Sequence, residues 1–283
     1  MWKKIKPFVI IVGKEVIILL RYCILTKNDT KALEIKEVLI KRITLEYDEK
    51  KPDYIITIGG DGTILGAIQN YIYENPEVII FGLHLGHLGF FTNYMIEEID
   101  DLVSNINNRN FKIEHAPLLS FYIDSKFCGY ALNEVSILCP TRTLKLDVYI
   151  DNEKLETYRG TGLCISTSYG STAYNKSLHG SVVDNSLNVL QITEIAGINS
   201  NAYRTLTSSL LLAADKTICL KTVEEGKITI TYDNKVIEEN EFTTFICRLE
   251  NHFINFAYNK HQSFLKRITR TFIDEKKVEL DLL

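Results

Sequence analysis

The stretch that most constrains this chain is Ile55 to Ala67, where an apolar run meets a glycine-rich turn. The run Tyr54 to Ile58 has the length and β-branched content of a buried strand. It ends at the turn Gly59-Gly60-Asp61-Gly62-Thr63, and apolar residues return at helical spacing from Ile64 onward. The pattern predicts a strand, a glycine turn and a helix, which together point backbone N–H groups at an anion.

The composition of this turn suggests phosphate chemistry. Gly59, Gly60 and Gly62 would let the main chain approach a phosphate without a Cβ in the way. Asp61 places a carboxylate among backbone amides that would bind phosphate, an unfavourable position unless the carboxylate holds a metal ion or takes a proton. Asp61 is therefore a catalytic candidate. A structural turn also fits, because Asp readily caps helices. The stretch matches neither GxGxxG nor GxxxxGK[ST].

Bulk composition limits the class of protein. The chain has 283 residues, 46% of them hydrophobic and 24% charged, which predicts one large or two ordinary globular domains. A net charge of −4 without a basic stripe argues against nucleic acid as the partner. The six cysteines form no CxxC pair, so we expect reduced thiols and a cytoplasmic protein.

The N-terminus does not predict a membrane anchor. Phe8 to Leu20 is apolar, but Lys14 and Glu15 interrupt it, and it is too short to span a bilayer. We therefore interpret residues 1–21 as an extension of uncertain status and expect no membrane partner.

The first part of the chain alternates between strand and helix patterns. Strands are predicted at Cys23 to Thr26 and Val78 to Gly82, and helices at Lys31 to Tyr47 and Glu97 to Ile106. Such alternation predicts a doubly wound parallel sheet.

After about Asn110 the pattern changes to short alternating strands, such as Leu144 to Ile150, with turn signals between them. This part predicts an antiparallel sandwich. A last helix, in which Phe264, Leu265, Ile268 and Phe272 share a face, could return to the first domain. The expected fold is α/β plus all-β: a discontinuous Rossmann-like α/β domain (22–110 plus 259–283) with a β-sandwich domain (111–258).

Two further motifs carry polar chemistry. Residues 166–173 place hydroxyl side chains around Gly170, before the helix start predicted at Tyr174. Such a loop could bind a ribose, an amide or a phosphate, or it could be a capped loop with no ligand. Asn133 and Glu134 are adjacent in a strand, so their side chains reach one ligand only at an edge or a bend.

In this order, the motifs closely resemble the NAD kinase family. They are GGDGT at 59–63, GHLGF at 86–90, the pair Asn133-Glu134, and GLCISTSYGSTAYNKS at 162–177. The resemblance covers roughly Tyr22 to Phe272. GGDGT alone is shared with lipid kinases and 6-phosphofructokinases, whereas the serine- and threonine-rich loop is more specific.

The resemblance implies transfer of a phosphoryl group from ATP, or from polyphosphate in some members, to the 2′-hydroxyl of the adenosine ribose of NAD⁺. The product is NADP⁺, and Mg²⁺ or another divalent metal takes part. It also implies a discontinuous α/β domain with a β-sandwich, and assembly as a homodimer or homotetramer. The domain arrangement agrees with the pattern change near Asn110.

Matched motif positions imply a role for each site residue. Asp61 resembles the proposed general base, or the carboxylate that orients the 2′-hydroxyl. The phosphate-transfer site would be lined by Gly59, Gly60, Gly62 and Thr63. The residues implied to bind NAD⁺ are Phe90 against the adenine, Asn133 and Glu134 on the adenosine half, Thr161, Thr172 and Ala173 along the dinucleotide, and Tyr174 and Ser177 near the nicotinamide.

The chain departs from the family pattern at four positions. Thr161 replaces an Asp, Ser168 and Ser209 replace prolines, and His179 replaces a glycine. The loss of a carboxylate at Thr161 supports an alternative, an NAD(P)-binding regulatory homologue with impaired catalysis. A lipid or sugar kinase sharing GGDGT is the other alternative.

The spacing of His84 and His87 could suggest a metal pair, but the neighbouring glycines indicate a loop, and no third ligand has suitable spacing. We therefore predict a structural or substrate-lining role for these histidines and no protein metal site.

Overall fold

The structure, a computed structural model, describes residues 8–12, 15–27, 29–86, 89–224, 227–239, 242–259 and 263–274. The chain divides into two compact units. The first, Met1–His115 with Ile254–Leu283, is called the α/β unit below, and the second, Ala116–Phe253, is called the β unit. In the described residues, no helix is both long and apolar enough to cross a lipid bilayer.

The secondary structure of the described residues runs as follows. The strands are β1 (Phe8–Val12), β2 (Glu15–Leu19), β3 (Arg21–Thr26), β4 (Glu46–Tyr47), β5 (Tyr54–Ile58), β6 (Ile79–His84), β7 (Tyr94–Met95), β8 (Lys112–Ile123), β9 (Lys126–Ala131), β10 (Glu134–Leu138), β11 (Leu144–Ile150), β12 (Glu153–Gly160), β13 (Gly162–Thr167), β14 (Val189–Ile195), β15 (Leu210–Ala213), β16 (Thr217–Thr222), β17 (Ile228–Tyr232), β18 (Lys235–Glu239) and β19 (Thr244–Tyr258). The helices are α1 (Thr30–Arg42), α2 (Asp61–Tyr71), α3 (Ile99–Asn108), α4 (Tyr174–Ser177) and α5 (Phe264–Ile268). Short 3₁₀ turns lie at Ile96–Glu98 and Tyr169–Thr172, and Thr269–Ile273 continues α5 with π-helical hydrogen bonds.

The α/β unit contains a parallel sheet in the order β4-β3-β5-β6. The C-terminal end of β19 adds to β6 in parallel, with Asn255 opposite Ile79. The apolar side chains of Ile24, Ile56 and Phe81 follow one another across the sheet and are buried with Leu39 of α1. Strands buried this completely are typical of a parallel sheet covered by helices, which confirms the Rossmann-like prediction.

Helix α1 ends five residues before the predicted end at Tyr47. The backbone becomes extended at Ile43, and Tyr47 instead pairs with Tyr22 in strand β4. Glu46 and Tyr47 thus complete the sheet edge beside β3, so sheet pairing takes precedence over the local helical pattern.

Helix α2 begins earlier than the apolar spacing predicted. Asp61, Gly62 and Thr63 form its first turn, and Gly60 is the N-cap residue. The predicted turn residues are therefore mostly helical, and their backbone N–H groups belong to the N-terminus of α2.

The β unit contains two sheets around one core. One is antiparallel in the order β15-β14-β13-β10-β17-β18. The other contains β12, β11, β16 and β19 in that order, and β19 also pairs with β8, which pairs with β9. Val135 and Ile137 of the first sheet lie in the same buried cluster as Leu146, Val148 and Leu220 of the second. The unit is therefore a β-sandwich, as predicted.

The C-terminal helix belongs to the α/β unit, but its predicted apolar face is not its buried face. Arg267 is 4% exposed, whereas Leu265 is 72% exposed. The reason is an ion pair between the buried Arg267 and the partly exposed Glu114, with two aromatic rings beside the guanidinium. The apolar spacing therefore predicted the helix but not its packing.

Two other expectations concern the N-terminal segment and the cysteines. Strands β1 and β2, within the predicted extension, pair as an antiparallel hairpin. All six cysteines are free, and four of them, Cys23, Cys139, Cys164 and Cys247, are buried. Buried reduced thiols were the expectation for most of the six.

Candidate functional site

The glycine-rich turn of the α/β unit depends on close contact between Gly59 and Thr63. Gly59 has φ of +153°, and a Cβ there would overlap the Thr63 hydroxyl. The Gly59 N–H donates to the carbonyl of Leu83 at 2.9 Å, which ties the turn to strand β6. Only glycine tolerates this combination of backbone angle and contact.

The Thr63 side chain presents a polar atom without a partner. Its Oγ1 is buried and makes no hydrogen bond within the described residues. A buried hydroxyl without a partner costs about 1–3 kcal/mol, so a bound ligand that uses it would recover that free energy. Because Thr63 lies in the first turn of α2, where backbone N–H groups lack helical partners, an anion is the ligand that the position favours.

The carboxylate of Asp61 is held by the backbone after β6. It accepts hydrogen bonds from the N–H of Phe90 at 2.8 Å and of Phe91 at 3.0 Å, one on each oxygen. A Cβ on Gly89 would collide with the carboxylate, so this approach requires glycine. The side chain is thus fixed in position and accepts from both sides.

The protonation of Asp61 is set by opposing effects. Burial raises the pKa of the carboxyl above its ordinary value, and the two backbone N–H donors and the nearby His84 oppose this rise. A carboxylate with a raised pKa is a better proton acceptor than an exposed one.

Phe90 contributes its backbone to the Asp61 contact, while its ring is buried. The ring is 5% exposed and packs edge-on against Phe264 at a centroid distance of 6.0 Å. The Arg267 guanidinium lies 5.3 Å from the ring centroid. The structure therefore places Phe90 beside Asp61, together with Gly59, Gly60, Gly62 and Thr63.

Of the two histidines near this turn, His84 and His87, the structure describes only His84. His84 ends strand β6, and its Nδ1 accepts from the Gly86 N–H at 2.8 Å. His87 lies outside the described residues. Among the residues that are described, no group of three or more His, Cys, Asp or Glu side chains could hold a metal ion.

In the β unit, Asn133 and Glu134 lie where the chain enters β10. The Asp233 carboxylate accepts from the N–H of Leu132 at 3.0 Å and of Asn133 at 2.8 Å. The Asp233 N–H in turn donates to the Glu134 carbonyl at 3.1 Å. These three hydrogen bonds fix the backbone at the start of β10. This is the kind of position, at the end of a strand, at which the side chains of Asn133 and Glu134 could reach one ligand.

The serine- and threonine-rich loop packs on the Asn133 backbone. Thr167 donates through its N–H to the Asn133 carbonyl at 2.9 Å and through its hydroxyl to the Leu132 carbonyl at 2.6 Å. A Cβ on Gly170 would overlap the Asn133 carbonyl. The loop and the Asn133-Glu134 pair are therefore one structural assembly.

This assembly contains buried polar atoms that have no partner within the described residues. They are Asn133 Oδ1, Glu134 Oε2, Ser166 Oγ and Ser168 Oγ. Buried polar atoms are nearly always paired in folded proteins, so a group of unpaired ones next to each other along two linked segments indicates a polar ligand.

The Glu134 carboxyl is 7% exposed. Burial, with the neighbouring Asp233 carboxyl as a second cause, raises its pKa to about 8, and the Tyr174 N–H, which donates to it, opposes the rise. The group is therefore largely protonated at neutral pH and can donate as well as accept a hydrogen bond.

The remaining predicted residues of the loop follow Gly170. Thr172 donates its hydroxyl to the Tyr169 carbonyl at 3.2 Å, and the Ala173 N–H donates to the Gly170 carbonyl at 3.0 Å. Tyr174 begins α4 with its side chain 40% exposed, and Ser177 ends the same helix and is exposed.

Thr161 does not join this group. It precedes β13, whereas the loop follows β13, so the two lie about 20 Å apart at the usual rise of a strand. Its backbone N–H donates to Ile195 and its carbonyl accepts from Cys139. Within this unit, the missing carboxylate is thus remote from Glu134 and Tyr174.

Two residues of the β-unit site were not identified from the sequence. Asp233 was recognised only as part of a turn between strands, and its clamp on Asn133 spans 100 residues of sequence. The buried Asn175, which accepts from the Thr193 hydroxyl at 2.6 Å, was also missed. Thr167 belongs to the predicted hydroxyl-rich loop, but its hydrogen bonds to the backbone of Leu132 and Asn133 were not predicted.

The chain matches two family models. Residues 21–111 match the ATP-NAD kinase N-terminal domain, and residues 132–242 match the ATP-NAD kinase C-terminal domain. Among curated relatives, the NAD kinase of Lactobacillus gasseri is 37% identical over 245 residues, covering 85% of this chain and 92% of the relative. The NAD kinase of Staphylococcus aureus is 36% identical over 269 residues, covering 91% and 100%.

Two solved structures share the fold. An NAD kinase from Archaeoglobus fulgidus in complex with ATP superposes with a TM-score of 0.73 at 22% identity, covering 89% of this chain and 98% of that one. Yeast NADH kinase complexed with NADH gives a TM-score of 0.76 at 19% identity, covering 95% of both chains. At these identities the two structures support the fold alone.

Proposed function

The chain belongs to the NAD kinase family, and we propose that it transfers the γ-phosphoryl of ATP to the 2′-hydroxyl of the adenosine ribose of NAD⁺, giving NADP⁺. The observation that best supports this reaction in the chain itself is the Asp61 carboxylate, fixed by the N–H groups of Phe90 and Phe91 at the start of α2. Membership of the family does not favour a lipid or sugar kinase.

In this proposal Asp61 orients the 2′-hydroxyl and accepts its proton. Phosphoryl transfer passes through a loose transition state, so orientation matters more than base strength, and the proton leaves late. Burial keeps the pKa of Asp61 above its ordinary value, which suits a proton acceptor. The two backbone donors hold the carboxylate in place and so reduce the entropy lost in aligning the substrate.

We assign phosphate binding to Gly59, Gly60, Gly62 and Thr63. The N-terminal N–H groups of α2 are suited to phosphate oxygens. The unpaired Thr63 hydroxyl would donate to one of them. The absence of a Cβ at Gly59 keeps the turn tight enough for that contact.

A divalent ion such as Mg²⁺ is proposed to arrive as part of the ATP complex. The described residues offer no cluster of protein ligands, and the Asp61 oxygens already accept backbone N–H groups. This fits Mg²⁺, which typically keeps several waters and is bound mainly through substrate phosphates. When bound, the ion would neutralise charge on the transferring phosphoryl group.

NAD⁺ binding is assigned to the polar assembly of the β unit. The adenosine half would contact Asn133 and Glu134, whose unpaired oxygens are suited to ribose hydroxyls and the adenine amino group. Thr172, Ala173, Tyr174 and Ser177 would follow along the dinucleotide. The roles of Phe90 and Thr161 in NAD⁺ binding remain predictions, Phe90 through its ring and Thr161 through its hydroxyl.

The wider assignments are part of the same proposal. Residues 22–110 with 259–283 would carry phosphate transfer, residues 111–258 would carry dinucleotide binding, and residues 1–21 remain an extension without an assigned role. A homodimer or homotetramer in the cytoplasm is proposed, with polyphosphate as a second possible donor. We expect no nucleic-acid partner.

The reaction is tested by incubating purified protein with NAD⁺, ATP and Mg²⁺ and measuring NADP⁺ with a dehydrogenase specific for it. NADP⁺ formation that requires all three components supports the proposal. Absence of NADP⁺ with either ATP or polyphosphate, while NAD⁺ binds by calorimetry, would contradict it and favour a binding protein without catalysis.

A further inference from the structure

Asp233 is the residue that clamps the start of β10. It lies in the turn between β17 and β18 with φ of +48°, and it joins three consecutive residues, 132–134, through the bonds described above. Two of those residues, Asn133 and Glu134, carry the unpaired oxygens of the proposed dinucleotide site.

The same backbone device occurs in the turn between β8 and β9. Asp124, with φ of +46°, accepts from the N–H groups of Thr243 and Thr244 at 2.9 and 2.8 Å, and its own N–H donates to Thr244. Asp124 is exposed, and the residues that it holds, Thr243 and Thr244, are not predicted site residues. A purely structural role for Asp233 would therefore make the two aspartates equivalent.

Asp233 differs in its electrostatic surroundings. Burial raises its pKa to about 6, so the group is mostly ionised at pH 7, and its charge acts on Glu134. The other titratable groups coupled to Glu134 are the Cys164 thiol and the Tyr174 phenol, whose pKa values are raised by burial first and by Glu134 as a further cause, so both are neutral near pH 7. The Lys235 ammonium lowers the pKa of Asp233, and Asp233 in turn raises the pKa of the Tyr232 phenol, for which burial is the larger cause.

We propose that Asp233 is a positioning residue of the dinucleotide site, which fixes the bend at Asn133 and Glu134 and keeps the Glu134 carboxyl protonated so that it can donate a hydrogen bond to NAD⁺. This inference rests on the proposed function, because it assigns NAD⁺ to that site. The geometric part depends on the three hydrogen bonds, and the electrostatic part depends on an anion next to Glu134.

The proposal predicts how NAD⁺ affinity changes with pH. In this proposal NAD⁺ binds the form of the site in which Glu134 is protonated. The affinity for NAD⁺ is therefore full at pH values below the pKa of Glu134 and falls as the pH rises through that pKa. Asp233→Asn keeps a side chain that tolerates positive φ, but it removes the charge and so lowers the pKa of Glu134. The pH midpoint of NAD⁺ binding should then move down by about one pH unit, so that affinity at pH 9, above both midpoints, is about tenfold lower than in the wild type, whereas at pH 7 it falls by only about twofold.

The experiment is calorimetric titration with NAD⁺ from pH 6 to 9 on the wild-type protein, Asp233→Asn and the matched control Asp124→Asn. A lower midpoint in Asp233→Asn alone supports the proposal. If Asp233→Asn does not show a cooperative melting transition, Asp233→Ser, which also removes the charge, replaces it. Glu134→Gln should remove the pH dependence altogether.

Two results would overturn the inference, and they are distinguishable. If the wild type binds and phosphorylates NAD⁺ but the midpoint of the Asp233 variant equals that of Asp124→Asn, Asp233 is only a structural clamp and the proposed function stands. If the wild type neither binds nor phosphorylates NAD⁺, the proposed function fails and the inference fails with it.

Discussion

Arg267 and Glu114 form a partly buried ion pair in the α/β unit, with Nη2 and Oε1 3.1 Å apart. The guanidinium also lies 4.4 Å from the Tyr258 ring centroid and 5.3 Å from that of Phe90. Because the Phe90 N–H holds Asp61, this pair supports the backbone next to the proposed catalytic carboxylate.

Removing the Arg267 charge should destabilise the protein. Arg267→Met leaves Glu114, whose side chain is 24% exposed, without its cation, so the cost should be about 1.5–3 kcal/mol, the scale of hydrogen bonds to a charged group. The measurement is the free energy of unfolding from urea titration. The matched control is Lys216→Met, which breaks the exposed Lys216–Asp151 pair of 2.7 Å and should have no measurable effect. Equal stability of the two variants would contradict a structural role for the Arg267–Glu114 pair.

Replacing the Thr63 hydroxyl should separate stability from function. Thr63→Val keeps the shape but removes an unpaired buried hydroxyl, so the free energy of unfolding should stay the same or rise. The KM for ATP should rise about tenfold, on the scale of one hydrogen bond to a charged phosphate. Steady-state kinetics and thermal melting measure the two effects.

The control for Thr63 is a threonine whose hydroxyl is paired. Thr222 donates to the Phe242 carbonyl, so Thr222→Val should lower stability by about 1 kcal/mol and leave the KM for ATP unchanged. A Thr63→Val variant with normal ATP kinetics would exclude the hydroxyl from phosphate binding.

Gly170 should not tolerate a side chain. In Gly170→Ala the new Cβ would overlap the Asn133 carbonyl, so the loop must move, at a cost of about 1–3 kcal/mol and with weaker NAD⁺ binding. Gly66→Ala is the control, since a Cβ there would meet no atom within 4 Å beyond the backbone of α2 itself, and alanine favours the interior of a helix. Melting temperatures and calorimetric NAD⁺ binding would show the difference. A Gly170→Ala variant as stable as the wild type would mean that the loop does not pack on Asn133.

The local part of the active region could be predicted from sequence. Tyr54 to Ile58 forms strand β5 as predicted, because a short β-branched run between Pro52 and the glycine turn has few alternatives. The start of α2 at Asp61 could not be predicted, because glycines lower helix propensity and the turn is held by Leu83, 24 residues away from Gly59.

Long-range contacts account for the other differences. The contact of Asp233 with Asn133 depends on β17 pairing with β10, which no local pattern specifies. Likewise, the apolar spacing from Phe264 to Phe272 predicted a buried face, but Glu114 draws Arg267 into the interior instead. The separation of Thr161 from the loop follows simply from the length of β13.

The most direct test of the account is Asp61→Asn. Asparagine keeps the size of the side chain but cannot accept the proton of the 2′-hydroxyl, so kcat should fall by about 10²–10⁴, while the Kd for NAD⁺ stays within about twofold. Asp100→Asn, which changes an exposed aspartate in the first turn of α3, should keep the wild-type kcat. NADP⁺ formation at a near wild-type rate by Asp61→Asn would contradict the assignment of Asp61 to the chemical step.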